Sequence, residues 1–143
     1  MQAKALYQRY SQSEIRFASQ KKLILLLYDG AINFLKRAQD CICKKDIEGT
    51  HNFLVKARKI INELMLSLNP DLGGDLAKNL FRLYWYMMER VLEANFKKSV
   101  DPINEVLMLL EGLREAWANA KFEENDLMNI NNREVKGRLC ISG

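Results

Sequence analysis

The stretch "LILLLYDGAINFL", Leu23 to Leu35, decides how the whole chain is read. Asp29-Gly30 between two apolar runs is a β-hairpin signal, because Asp-Gly suits a type I′ turn. The same letters also fit one helix carrying a glycine that costs roughly 1 kcal/mol against alanine. The period settles the choice. Ile24, Leu27, Tyr28, Ala31, Leu35, Ala38 and Ile42 follow steps of three and four, with no phase break at Asp29-Gly30. Ser19 stands where an N-cap stands, so residues 20–43 are expected to form one helix. Leu23, Leu26, Phe34 and Cys41 widen its apolar arc, which means burial on two sides or a cover on one. Gly30 then has two uses: close approach of a bound segment, or close approach of another helix of the same fold.

Three further helices follow. "DIEGTHNFLVKARKIINELMLSLNP" opens on Asp46 as N-cap and carries Ile47, Leu54, Ala57, Ile61, Leu64 and Leu68 as its stripe, ending at Asn69-Pro70. "PDLGG" reads as a loop. "DLAKNLFRLYWYMMERVLEANFKK" places Ala77, Leu80, Tyr84, Met87, Val91 and Leu92 on one face, with Leu83, Trp85, Tyr86 or Met88 nearer a rim. "DPINEVLMLLEGLREAW" shows Asp at N-cap and Pro at the first helical position, then Ile103, Val106, Leu107, Leu110, Leu113 and Trp117. Short connections make neighbours antiparallel. The expected fold is all-α: an up-down-up-down four-helix bundle over residues 19–121, with a mobile N-terminal capping segment (1–18) and a flexible C-terminal tail (122–143). A loose helical turn is expected near Leu127 to Ile130.

Composition narrows the class. The 143 residues are 48% hydrophobic and 28% charged, with only two Pro and seven Gly, too few for a turn-rich all-β protein. The start, "MQAKALYQRY", lacks a signal-peptide core, and no apolar run reaches the length of a membrane span. Three cysteines fit a reducing compartment. A cytoplasmic protein without membrane insertion is expected. The net charge of +4 is uneven: residues 1–45 hold nine Lys/Arg against three Asp/Glu, and residues 46–143 hold thirteen against fifteen. Lys21-Lys22, Lys36-Arg37 and Lys44-Lys45 therefore allow an alternative, a basic interaction module for nucleic acid, although they lie far apart and show no helix-turn-helix spacing. A structural homo-oligomer is the third possibility.

Chemistry is nearly silent. There is no phosphate loop, G-x-S-x-G, C-x-x-C or H-E-x-x-H. One histidine, His51, cannot supply the two Glu-x-x-His pairs of a di-iron bundle. Cys41, Cys43 and His51 fall short of the four ligands of a tight zinc site. Glu63, Glu89 and Glu93 read as surface charges with basic neighbours. No enzyme, cofactor or metal is expected. The apolar arcs, however, exceed what a four-helix core needs, and "LFRLYWYMMERV" is rich in the Met and aromatic residues of adaptable binding surfaces.

From Ala5 to Trp117 the chain resembles the flagellar export chaperone FliS family. The marks are "YQRY" at 7–10, "LILLLYDGAINFL" against the family's L-x-x-x-L-Y-[DNE]-G-A/I-x-x-F, the two central helices, and "LLEGLREAW" against a closing L-x-x-L-R-x-x-W. The resemblance implies an antiparallel helical bundle that binds the disordered C-terminal region of flagellin, blocks its premature polymerisation and delivers it to the cytosolic domain of the export-gate protein. Nucleic acid is not expected as a partner. Residue by residue, it puts Tyr7 and Tyr10 in a segment that covers the client groove, and Leu23, Leu27, Tyr28, Gly30 and Ala31 on the helix beside it. Lys56, Ile60 and Asn62 are further client-binding candidates. The chain departs from the family at Gln20, where a Pro usually follows Ser, at Leu6, where a small residue is usual, and in its longer tail. The N-terminal segment either competes with the client or contacts it.

Overall fold

A computed structural model describes residues 2–68 and 70–120, with side chains from 20–68 and 73–120. The tail, including Leu127 to Ile130, and the side chains of Tyr7 and Tyr10 lie outside the described residues. Four helices run in chain order: α1 Gln2–Cys43, α2 Ile47–Leu66, α3 Pro70–Lys97 and α4 Val100–Asn119. α1 packs on α2 and α4, and α3 packs on the same two, so the helices stand at the corners of a square. Among the described residues no helix is long and apolar enough to cross a membrane.

The stripes read from the sequence fill the centre. Tyr28 and Leu35, Leu54, Ile61 and Leu64, Tyr84, Met87 and Val91, and Ile103, Val106 and Leu110 are all fully buried. Two stripe residues point outward instead. Ile47 opens α2 beside its cap, where no fourth helix covers it, and Leu92 is displaced because its neighbour Val91 takes the inward position. Met88, assigned to the rim, is buried, while Trp85 and Tyr86 are exposed.

Both tight turns use one device. The Asp46 N–H donates to the Cys41 carbonyl (2.8 Å) and the Lys45 N–H to that of Ile42 (3.0 Å), with Lys45 at φ 60°. This is a Schellman closure, and its last residue, Asp46, caps α2 by accepting from the Gly49 N–H at 2.9 Å. Likewise the Ser99 N–H donates to the Ala94 carbonyl, Lys98 sits at φ 50°, and Ser99 caps α4. Gly49 is demanded by the first junction: a Cβ there would lie 2.2 Å from Asp46 Oδ2 and 2.8 Å from Cys41 Sγ.

Three boundaries differ from the sequence reading. α1 runs through Ser19 to Gln2, so Ser19 caps nothing; Gln20 keeps the N–H and lacks the ring with which proline would break the helix. "PDLGG" contributes a helical turn, and the break falls at Gly74, whose φ of 60° and ψ of −140° suit only glycine. α4 begins at Ser99 rather than Asp101. Pro102 then sits in the first turn, where its missing N–H has no intrahelical partner to lose.

Candidate functional site

Three consecutive residues of α1, Tyr28, Asp29 and Gly30, each serve a different neighbour. The Tyr28 hydroxyl meets that of Tyr84 across the bundle diagonal, and the Trp117 indole reaches the same hydroxyl. Burial pushes both phenols up, Tyr84 to about 12, so both stay protonated and can share hydrogen bonds in the core. Asp29 accepts a two-pronged bond from the Arg114 guanidinium of α4, whose second prong is 3.2 Å. Gly30 faces α2, where an added Cβ would stand 3.1 Å from Ile60 Cδ1. The close approach at Gly30 is therefore made by a helix of the bundle itself.

This placement corrects part of the expected groove. Tyr28 and Ala31 have no exposed surface and belong to the core. Leu23 is half exposed, while Leu27, Gly30 and Ile60 are only partly covered and line the α1/α2 seam. Lys56 is on the same seam, its ammonium 5.6 Å and 5.7 Å from the ring centres of Phe34 and Phe53. Asn62 is half-buried and, by helical period, on the other side of α2, toward α3. Tyr7 and Tyr10 lie on the backbone of α1.

Two seams of the square are closed by charge. On α1/α4, besides Asp29 and Arg114, Lys36 pairs with Glu111 at 3.6 Å, and the Lys21 ammonium donates to the Ala118 and Ala120 carbonyls at 3.2 and 3.1 Å. A cation there also suits the C-terminal end of the α4 dipole. On α3/α4, Glu105 accepts from the Tyr86 hydroxyl and from Arg90 Nε, each at 2.7 Å, which holds its carboxyl below the usual range. Glu93 is shared by Lys97 and Arg90 and is lowered likewise. These contacts also engage part of the basic half: Lys21 bonds to the end of α4, Lys36 pairs with Glu111 at the surface, and Arg37 stacks over Phe53.

The α2/α3 face is different. Its described polar bridge is His51 Nδ1 to Asn95 Nδ2 at 2.9 Å. Along α3 beside it run Phe81, Trp85 (51% exposed), Leu92 (53%) and Phe96 (88%), with Leu66 and Ile47 exposed on α2. The spacing 81, 85, 92, 96, with buried Met88 between, is the step of four and three that lays one stripe along a helix. An open depression lined by His51, Glu89, Leu92 and Phe96 lies at its upper end. The sequence reading named this helix as adaptable surface but assigned no site residue to it. The signal was present in the spacing of its aromatics.

Glu48 stands three residues before His51, half of a di-metal pattern. Among the described residues no group of three His, Cys, Asp or Glu can hold a metal ion. The exposed apolar stripe makes the face suited to binding an apolar segment, and nothing in its residue set is a nucleophile beside a base.

A family model described as "Flagellar protein FliS" matches residues 2–124. The chain is 37% identical over 117 residues to the flagellar secretion chaperone FliS of Campylobacter jejuni, covering 82% of this chain and 91% of that protein. It is 38% identical over 127 residues to the protein of the same name from Salmonella typhimurium, covering 85% and 94%. With that of Bacillus subtilis it shares 32% over 114 residues, covering 80% and 84%.

Proposed function

The chain belongs to the FliS family of flagellar proteins, and from that premise we propose that it binds the C-terminal region of flagellin on its open α2/α3 face. A chaperone role in flagellar secretion comes with the family. The finer reading rests on one observation: Phe81, Trp85, Leu92 and Phe96 form an exposed apolar stripe along α3. Apolar exposure of this kind marks an interaction surface. A flagellin terminus that is unfolded before assembly has apolar residues to bury and aggregates if left bare. Docked, it is withheld from polymerisation and kept fit for export. Leu23, Leu27, Ile60 and Lys56 on the α1/α2 seam supply a second, smaller contact. Residues 1–18, with Tyr7 and Tyr10, compete with the client only by leaving the continuous helix that they form at the start of α1. The loaded complex docks on the cytosolic domain of the export-gate protein, in the cytoplasm and without catalysis.

Calorimetry with the C-terminal segment of the same organism's flagellin tests this. One-to-one binding with a negative heat-capacity change is expected, the mark of buried apolar area. Absence of binding at micromolar concentration, with the chaperone folded, overturns the reading.

A further inference from the structure

Behind the apolar stripe of α3 runs a second ridge with the same spacing. Lys78, Arg82, Glu89 and Glu93 each stand three residues before Phe81, Trp85, Leu92 and Phe96, so every stripe residue has a charged neighbour on the same flank. The Trp85 indole N–H donating to Glu89 Oε1 at 2.9 Å shows how closely the two rows run. The ridge changes sign halfway: two cations near the start of α3, two carboxylates near its end. The dipole of α3 itself favours the reverse order, anions at its start and cations at its end. Glu93 is partly spent on Arg90 and Lys97, but Lys78, Arg82 and Glu89 have no ion-pair partner among the described residues. Across the face, α2 repeats the order: exposed Glu48 lies at the end where His51 meets Asn95, and exposed Arg58 lies further from it.

We infer that this face takes a helical segment in one direction, antiparallel to α3, with the segment's N-terminal end over Glu89 and Glu93 and an acidic C-terminal end over Lys78 and Arg82. The inference rests on the reading of the α2/α3 face as the client surface. The stripe from Phe81 to Phe96 is about 22 Å long, room for about four helical turns. A segment lying this way puts the positive end of its own dipole beside carboxylates and the negative end beside cations. Its matching charges, basic early and acidic late, are the order that weakens an isolated helix. Such a segment gains helical order mainly when docked, which suits a client that must stay unfolded otherwise. Lys78 and Arg82 are thus specificity-determining residues: they select the acidic end and set the direction.

The probe is an amphipathic peptide of about four turns, leucine along one face, lysines in its first half and glutamates in its second, with a nitroxide at its N-terminus. Amide signals of residues 92–97 of the full chain are expected to broaden, and those of 76–82 to stay sharp. In the Lys78→Glu/Arg82→Glu variant, at exposed positions without ion-pair partners among the described residues, the broadening is expected at both ends and affinity falls roughly fivefold at low salt, less at high salt. Broadening at 76–82 in the unaltered chain, or a pattern unchanged by the variant, overturns the direction while leaving the face as the docking site. Failure of the peptide to bind overturns the face and the direction together.

Discussion

The α1/α4 seam and the α2/α3 face are built from similar residues and have opposite fates. Both belong to amphipathic helices with long side chains at their edges. On α1/α4 the edge charges find each other, Asp29 with Arg114 and Lys36 with Glu111, while Ile24, Leu35 and Leu110 are buried beneath them. On α2/α3, Lys78, Arg82 and Glu89 have no ion-pair partner among the described residues, and the apolar side chains stay outside, Phe96 almost wholly so. A bundle that needed only to fold would pair or replace the second set. Surface ion pairs stabilise little, so their placement on one seam says less about energy than about which seam is finished.

Truncating the same kind of contact on each side gives the largest contrast. Leu110→Ala opens a cavity in the closed side and is expected to remove about 2–5 kcal/mol of stability, read by denaturant unfolding. Trp85→Ala is expected to shift the unfolding midpoint little yet weaken client binding about tenfold or more, as an exposed aromatic anchor does. If Trp85→Ala instead unfolds the protein and spares binding, the open side is core and the comparison collapses.

A smaller effect comes from the diagonal hydroxyl pair beneath both regions. Tyr28 and Tyr84 hold their protons more tightly folded than unfolded, where tyrosine ionises near 10. Stability from this source is complete below pH ~10 and falls as pH rises past it toward the Tyr84 value of about 12. The Tyr28→Phe/Tyr84→Phe double variant is expected to lose stability less steeply over that range, measured by thermal melts against pH. Equal slopes would show that the pair does not carry the alkaline sensitivity.

The smallest effect sharpens the reading of Gly30. Its missing Cβ faces the flexible end of a partly buried Ile60, which can turn aside. Gly30→Ala is expected to stabilise by up to about 1 kcal/mol through helix propensity and to leave client affinity unchanged. Lost affinity with intact folding would return Gly30 to the binding surface.

Much of this fold is legible in the sequence, because periodicity reports which face of a helix is buried. The stripes Tyr28 to Leu35 and Ile103 to Leu110 occupy the core where that period puts them. The site was less legible for a physical reason. An over-wide apolar arc on α1 does not say what covers it: α2 takes part of the arc, through Gly30 and Ile60, while Leu23 and Leu26 stay exposed. Helix ends were misplaced where a strong local signature hid a better cap, as Asp101-Pro102 hid Ser99. Leu92 and Val91 are adjacent in an apolar run, and only the position of α2 and α4 decides which turns inward.

The triplet Tyr28-Asp29-Gly30 also keeps time during synthesis. Its partners leave the ribosome in a fixed order: Ile60 beside Gly30 first, then Tyr84 across from Tyr28, and last Arg114 for Asp29. Until α4 emerges, Ile24 and Leu35 have no fourth wall, and a nascent chain halted before residue 100 exposes apolar surface that neighbouring chains can find. A bundle whose sealing helix is the last of its four to be made spends that interval with its core open on one side.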